Sequence, residues 1–398
     1  MKKYPGYINS GADWLGRVPS HWKLGRLGSY VSLRGEKGSD KVFEPLSVTK
    51  NGVVAQLETA AKTDDGENRK VVRKGDIAIN GRSDRKGSSG LSEMDGSVSL
   101  INIVLKIDRG LHPKFAHHLI RSVAFQEEFY RWGRGIVADL WSTNYWDLKR
   151  IPTAIPPIEE QEAIASFIDA TLADMDSAIA SQERMIELLK ERRSAIITQA
   201  VTKGLDPKAK TKDSGIPWLG QVPAHWEVRP LKALLDIKNG KDHKEIESDL
   251  GVPVFGSGGQ FAFAQAALFD GETVMLGRKG TIDRPLHYRG KFWVVDTMYW
   301  SHIKSGAYGR YVYYACKTIT FSLYTTNTAL PSITKRDLGS HRLCVPSREE
   351  QMQIASYLDM EVGKIESAIL SQEKLIEILK ERRSAIITQA VTGQIDVR

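Results

Sequence analysis

KERRSAIITQAVT fills residues 190–202 and recurs unchanged at residues 380–392. A run of 13 identical residues does not recur by chance in a chain of 398. The match extends upstream without a gap. IPPIEEQEAIASFIDATLADMDSAIASQERMIELLKERRSAIITQAVTKGLD (155–206) aligns with VPSREEQMQIASYLDMEVGKIESAILSQEKLIEILKERRSAIITQAVTGQID (345–396) at an offset of 190, with 31 identities in 52 positions. A second pair, SGADWLGRVPSHW (10–22) and SGIPWLGQVPAHW (214–226), stands at an offset of 204. Repetition on this scale governs the fold. The order is entry motif, variable block, constant helix, twice over, and the first variable block is 14 residues longer. Inside the variable blocks GDIAINGR (75–82) echoes GETVMLGR (271–278), and DLKRIPTAIP (147–156) sits where DLGSHRLCVP (337–346) sits.

Ala165, Ile168, Leu172, Met175, Ile179, Gln182, Ile186, Leu189, Arg193, Ile196 and Ala200 follow one another in alternating steps of 3 and 4. The second copy repeats the steps from Ala355 through Leu358, Val362, Ile365, Ile369, Gln372, Ile376, Leu379, Arg383 and Ile386 to Ala390. A seam of period 3.5 sustained this long is a coiled-coil signal. A helix with one apolar stripe needs a partner, and the nearest is its own twin, run antiparallel. Gln182, Gln372, Arg193 and Arg383 interrupt the seam. They mark a solvated edge, set the register, or face another protein.

The expected fold class is therefore α+β. Two globular mixed α/β domains are separated by two long α-helices forming an antiparallel coiled coil, a pseudo-two-fold dumbbell. The expected boundaries are 1–154 and 204–344 for the variable domains and 155–203 and 345–398 for the helices.

The formal net charge is +8, yet residues 158–202 carry −5 and residues 348–392 carry −2, which leaves +15 for the variable domains. Positive lobes on an acidic helix pair are the electrostatic footprint of a protein that grips a polyanion. The basic residues gather in glycine-punctuated loops, NGRSDRKGSSG (80–90) and LGRKGTIDR (276–284). Such loops let a forked guanidinium approach phosphates or base edges. The candidate DNA contacts are Lys50, Asn80, Arg82, Arg85 and Lys86 in the first block, and Ser257, Gln260, Arg278, Lys279, Arg284, Lys335 and Arg336 in the second. Trp14, Trp22, Trp218 and Trp226 belong to the repeated entry motif and are expected to pin it to the core rather than to stack on bases.

Most chemistries lack their residues. No GxxxxGK[ST] loop occurs, and VFGSGGQ (254–260) does not have GxGxxG spacing. The triplets Asp236-Ile-Lys238 and Asp242-His-Lys244 lack the upstream acid of a metal-dependent nuclease. His21 and His225 have no ligand cluster at metal spacing, and Cys316 and Cys344 suggest neither a disulfide framework nor a metal knuckle. No catalytic or metal-binding residue is expected. The residues 1–10 do not read as a secretory signal and no window reads as a membrane span, so a cytoplasmic protein is expected.

The duplicated SGxxWLGxVPxHW, the helix entries IPPIEEQxxIA and VPSREEQxxIA, and the GRKG loop at 277–280 resemble the specificity subunit of type I restriction–modification systems, over the whole chain. The resemblance implies that each variable domain reads one half of an asymmetric bipartite site in double-stranded DNA. It implies that the helices set the spacing and dock two methyltransferase subunits, with restriction/translocase subunits joining them. The repeated helix ends, with Arg192, Arg193, Gln199, Arg382, Arg383 and Gln389, are then the expected partner contacts. S-adenosylmethionine, ATP and Mg2+ are expected on the partners and no cofactor on this chain. The alternatives from the residues alone are a non-catalytic two-domain scaffold with incidental charge, and a nuclease or methyltransferase with an unfamiliar site.

Overall fold

Both constant blocks form continuous helices in the computed structural model, which describes residues 2–57, 66–108, 110–135, 141–324 and 331–398. The α-helices among these residues are α1 (Pro113–Arg121), α2 (Val123–Arg131), α3 (Tyr145–Leu148), α4 (Ile158–Lys203), α5 (Gly309–Cys316), α6 (Lys335–Ser340) and α7 (Arg348–Val391). The two long ones begin alike, with Glu159 and Glu160 in the first turn of α4 and Glu349 and Glu350 in that of α7. Acids there favour the helix dipole. Past the last turns lie Gly204 at φ +76° and Gly393 at φ +71°. A side chain would be strained in that left-handed conformation.

Internal contacts divide the chain into a first unit, residues 1–182 with 374–398, and a second, residues 183–373. Each unit thus takes one variable block, the start of one long helix and the end of the other.

In the first unit an antiparallel sheet runs in the order Ser89–Leu91, Ile77–Asn80, Asn102–Ile107, Val31–Leu33. Its central strands are buried on both faces, as their apolar runs require. Ile77, Ile79, Ile103 and Leu105 join one core with Phe115 and Leu119 of α1, while Val104 joins a smaller one with Val72 and Val98. A hairpin of Leu46–Thr49 and Gly52–Ala55 stands beside this sheet.

The second unit has a seven-stranded sheet ordered Leu235–Asn239, Met298–Ile303, Phe269–Gly277, Leu286–Val294, Val252–Gly256, Gly259–Ala264, Glu247–Ser248. Only Val252–Gly256 against Leu286–Val294 is parallel. Alternation again splits the central strand. Val274 and Leu276 face the core that contains α5, and Met275 faces the cluster of Phe292 and Trp300.

The units share registers that the sequence could only hint at. Lys23 pairs with Ile155 and Glu227 with Val345, the same pair after the offsets of 204 and 190. Val31 pairs with Ile107 and Leu235 with Ile303.

In the first unit Ile164, Ala165 and Ile168 of α4 share a core with Ala390 and Val391 of α7, and Asp176 meets Arg383 at 3.0 Å. Rising numbers on one helix meet falling numbers on the other, so the pair is antiparallel. In the second unit Ile197, Ala200 and Val201 share a core with Ile354, Ala355 and Leu358, and Arg193 meets Glu366 at 3.5 Å. Every seam residue in both copies is buried or half-buried. The seam arginines therefore reach across to an acid on the facing helix, and in both units the residue numbers of the ion-paired residues share one sum. Of the readings open for Arg193 and Arg383, this geometry matches register pairing.

Candidate nucleic-acid interface

A reading loop is useful only if its domain is held fixed on the helix that carries it, and the EEQ entry does this. Gln161 is fully buried. Its Oε1 accepts the backbone N–H of His112 at 2.7 Å, and its Nε2 donates to the carbonyls of Gly110 and Pro156 at 2.9 Å each. Gln351 does the same with Tyr308 N–H (2.8 Å), Gly306 (3.1 Å) and Pro346 (3.0 Å). About two turns on, Asp169 accepts from Lys114 at 2.7 Å and contacts His118 at 2.8 Å. Asp359 receives Arg310 and, at 2.7 Å, the Tyr314 hydroxyl. Burial alone would raise the Asp169 carboxyl, but Lys114 and His118 outweigh it and hold it below the usual range. Sequence reasoning passed over these residues. The signal was there, because EEQ and the following Asp are identical in both copies.

Three of the four entry-motif tryptophans, Trp14, Trp22 and Trp226, serve the cores. Trp22 and Trp226 are buried, Trp14 donates to the Pro152 carbonyl at 3.1 Å, and the half-exposed Trp218 stacks on His341 at 5.1 Å.

The loop after strand Ile77–Asn80 is tied to the residues that precede α3. Thr143 N–H donates to the Gly81 carbonyl at 2.9 Å and Ser83 N–H to the Trp141 carbonyl at 3.0 Å. Gly81 is required here, since a Cβ would lie 2.6 Å from the Thr143 carbonyl oxygen. Arg82 pairs with Asp84 at 3.0 Å, Arg85 approaches the same carboxylate at 3.7 Å, and Lys86 pairs with Glu127. Arg82 and Arg85 remain exposed. Lys50, Asn80 and Arg85 line one cleft of about 570 Å³ between this loop and the hairpin, together with Gln56 and Asn102. Asn80 is nearly buried and its Oδ1 accepts the Arg82 N–H at 3.1 Å, so it shapes the loop from beneath.

In the second unit the equivalent loop is tied in the same way. Ile333 N–H donates to the Arg278 carbonyl at 3.0 Å and Gly280 N–H to the Pro331 carbonyl at 2.9 Å. Thr297 gathers three of the sequence candidates. Its carbonyl accepts the N–H groups of Arg278 (2.9 Å) and Lys279 (3.1 Å), and its hydroxyl accepts that of Ser257 (3.4 Å). Arg278 also donates to the Asp296 carbonyl at 3.2 Å, and Lys279 lies 3.7 Å from the Asp296 carboxylate. Gln260 and Arg284 are exposed. Lys335 and Arg336 are placed elsewhere, lining a cleft of about 990 Å³ with Lys232, Asp236 and Lys304. The equivalents of Lys335 and Arg336 in the first unit are Tyr145 and Trp146, and Trp146 is 63% exposed with Lys149 Nζ 4.2 Å from its ring centroid.

Among the described residues no three His, Cys, Asp or Glu side chains are grouped to hold a metal ion. Asp236 is engaged by Lys238 at 2.7 Å. Also among them, no helix is long and apolar enough to cross a membrane.

On the helices, Arg192, Gln199, Arg382 and Gln389 are exposed, while Arg193 and Arg383 carry the cross-helix ion pairs. The copy of KERRSAIITQAVT at 190–202 sends Ile197, Ala200 and Val201 into the second unit's core, and the copy at 380–392 sends Ala390 and Val391 into the first. Both copies are thus half core and half surface.

Residues 223–378 match the family model of the type I restriction modification DNA specificity domain. That span covers most of the second variable block and most of its helix, and the first block and helix repeat the same plan. The second variable block and its helix are thus similar to the DNA specificity domain of type I restriction–modification systems. Among curated relatives, the MjaVIII specificity subunit of Methanocaldococcus jannaschii is 27% identical over 58% of this chain and 53% of its own length. The chain therefore spans about half the length of that relative. The putative MjaX specificity subunit of the same organism is 22% identical over 96% of both chains. The EcoKI specificity subunit of Escherichia coli is 29% identical over 38% of this chain and 31% of its own. Two solved structures share the fold. One was solved for the complex assembly and conformational transition of the type I R-M system; it aligns at TM-score 0.74 and 18% identity over 95% of this chain and 99% of its own. The other is the HsdS subunit from Thermoanaerobacter tengcongensis, at TM-score 0.55 and 17% identity over 95% and 98%.

Proposed function

We propose that this chain is the DNA-reading subunit of a type I restriction–modification complex, and that each unit reads one half of an asymmetric bipartite site. The observation that carries the reading is a scaffold used twice with different tips. The clamps Gln161/Gln351 and Asp169/Asp359 are kept, while the loops at 80–90 and 276–284 share a charge of +2 but differ in sequence. Arg82 and Arg85 in one unit, and Arg278, Lys279 and Arg284 in the other, are the groups that meet phosphates and base edges.

The helix pair is the spacer and the docking surface. A 46-residue helix extends ~69 Å. Besides the buried seam it carries an exposed one, Met185, Leu188, Arg192, Ala195 and Gln199, repeated as Leu375, Ile378, Arg382, Ala385 and Gln389. Two equal surfaces suit two identical methyltransferase subunits. In this reading the chain performs no reaction. S-adenosylmethionine, ATP and Mg2+ are bound by the methyltransferase and translocase partners.

Sequencing of methylated positions with and without this gene tests the proposal. A bipartite, asymmetric methylation motif that disappears on deletion supports it, and an unchanged methylome overturns it. DNA affinity should also fall steeply with salt, by roughly a decade for each doubling of concentration if several phosphates are neutralised.

A further inference from the structure

The two units repeat the hydrogen bonds of the EEQ glutamine but differ at the glutamate beside it. In the first unit Glu160 is almost buried, at 5% exposure, and His21 meets it at 2.7 Å. Trp22 Nε1 donates to its other oxygen at 2.9 Å. The Tyr4 ring closes this corner, 5.5 Å from the His21 ring and 6.2 Å from the Trp22 ring. The Arg398 guanidinium lies 5.0 Å over Tyr4 and 4.0 Å from Glu160. Burial first, and then the Glu160 carboxylate, raise the Tyr4 phenol well above its ordinary pKa.

Two separate stretches of chain build that corner. Residues 2–6 bring Tyr4, and residues 393–398 bring Arg398, joined where Asp396 N–H donates to the Lys2 carbonyl at 3.0 Å. The second unit has one linker in place of both. The linker first follows the path of the later stretch, since Lys208 N–H donates to Asp206 Oδ1 at 2.9 Å as Arg398 N–H donates to Asp396 Oδ1 at 3.1 Å. It then takes up the path of the earlier one, since Ala224 N–H donates to the Lys210 carbonyl at 2.7 Å as Ser20 N–H donates to that of Gly6 at 3.0 Å. A single strand of chain cannot occupy both paths side by side, so no aromatic residue stands in the place of Tyr4.

A cleft of about 490 Å³ results, lined by Leu205, Asp206, His225, Ser347, Glu349, Glu350 and Gln353. Glu350 is 25% exposed against 5% for Glu160, and it holds His225 at 3.0 Å. Trp226, the counterpart of Trp22, is wholly buried and its Nε1 has no hydrogen-bond partner. Its ring edge lies beside Gly204, near the Glu350 carboxylate. A buried indole N–H left unpaired is costly, whereas the first unit satisfies it by closing the corner.

We propose that this cleft binds a tyrosine-bearing basic segment of a partner protein, which completes in the second unit the corner that Tyr4 and Arg398 complete in the first. The acidic lining of Asp206, Glu349 and Glu350 selects for a cation beside the ring, and a seated ring would press Glu350 onto Trp226. A metal ion is a poor fit, because no three donors are grouped here among the described residues. The inference does not depend on the DNA-reading assignment, because it rests on the internal comparison.

The test uses the full-length chain and a peptide with the sequence of residues 2–6, KKYPG, titrated by calorimetry. Saturable binding is expected, with Glu350→Gln weakening it roughly tenfold or more, as expected for loss of a charged hydrogen-bond partner. A KKAPG peptide should bind at least as poorly. Should Glu350→Gln disturb folding, Gln353→Trp, at an exposed position, narrows the cleft without touching the clamp and should also abolish binding. Equal binding of KKYPG and KKAPG, or of arginine amide alone, would reduce the cleft to a simple cation site and overturn the proposal. So would the absence of any saturable binding. Neither result bears on the methylation motif.

Discussion

Gln161 Oε1 accepts the His112 backbone N–H at 2.7 Å, and Gln351 Oε1 accepts that of Tyr308 at 2.8 Å. The same amide thus closes the same loop at the start of each long helix. Replacing it strands a buried backbone donor and two carbonyls. Gln161→Ala is expected to cost about 1–3 kcal/mol in the first unit, with Gln351→Ala costing the second as much. Chemical denaturation of the single variants reads this directly, and a loss below about 0.5 kcal/mol would show that water replaces the clamp.

Arg278 lies in the loop held by Thr297 and keeps its guanidinium half-exposed. If it reads a base edge, Arg278→Ala costs about 1–3 kcal/mol and relaxes one position of the motif. Competition binding with single-base variants of the site checks this. A uniform loss on all sequences would assign Arg278 to a phosphate.

Removal of one heptad from each long helix at facing positions keeps the seam in register and shortens the pair by ~10 Å. The gap between the half-sites is expected to shrink by about three base pairs, at ~3.4 Å each. An unchanged gap in the methylation motif of such a variant would rule out the helices as the ruler.

His117 of α1 is half-buried, and its Nδ1 accepts the Leu91 N–H at 3.0 Å. Burial first, then the charges of Arg121 and His118, push its pKa down to about 3. The folded state therefore refuses a proton that the unfolded state accepts below about 6.5. The stability this group contributes is present above that pH and is lost as pH falls toward 3. Melting temperatures of the wild type and of His117→Gln, which keeps an acceptor, should converge across this window. Parallel curves would assign the acid loss to other groups.

Much of the architecture was legible in the sequence because a helix seam has a period. The 3-4 spacing from Ala165 to Ala200 can be counted, and two copies of it name the partner. The strands IAI and VML were legible as apolar runs. The interface was legible only in outline. Asp84, Glu127 and Asp296 temper the loop cations; Asp84 lies in the loop itself, whereas Glu127 and Asp296 come near only through folding. Lys335 and Arg336 share the candidate set with Arg278, but α6 places them in a different cleft.

The sequence by itself determined that one plan is used twice, that its helices pair with each other, and that the positive charge lies outside them. These properties are local or periodic, and identity between the copies makes them countable. Only the tertiary structure decided that each unit is assembled from non-contiguous pieces. KERRSAIITQAVT at 380–392 completes the core around Trp22, and its twin at 190–202 completes the core around Trp226. The cross-helix pairs Arg383–Asp176 and Arg193–Glu366, and the difference between Glu160 and Glu350, follow from that assembly. Contacts between residues more than a hundred positions apart depend on which chain paths share a space. Two stretches of chain fit where Tyr4 lies, and one linker runs past the equivalent corner at Trp226.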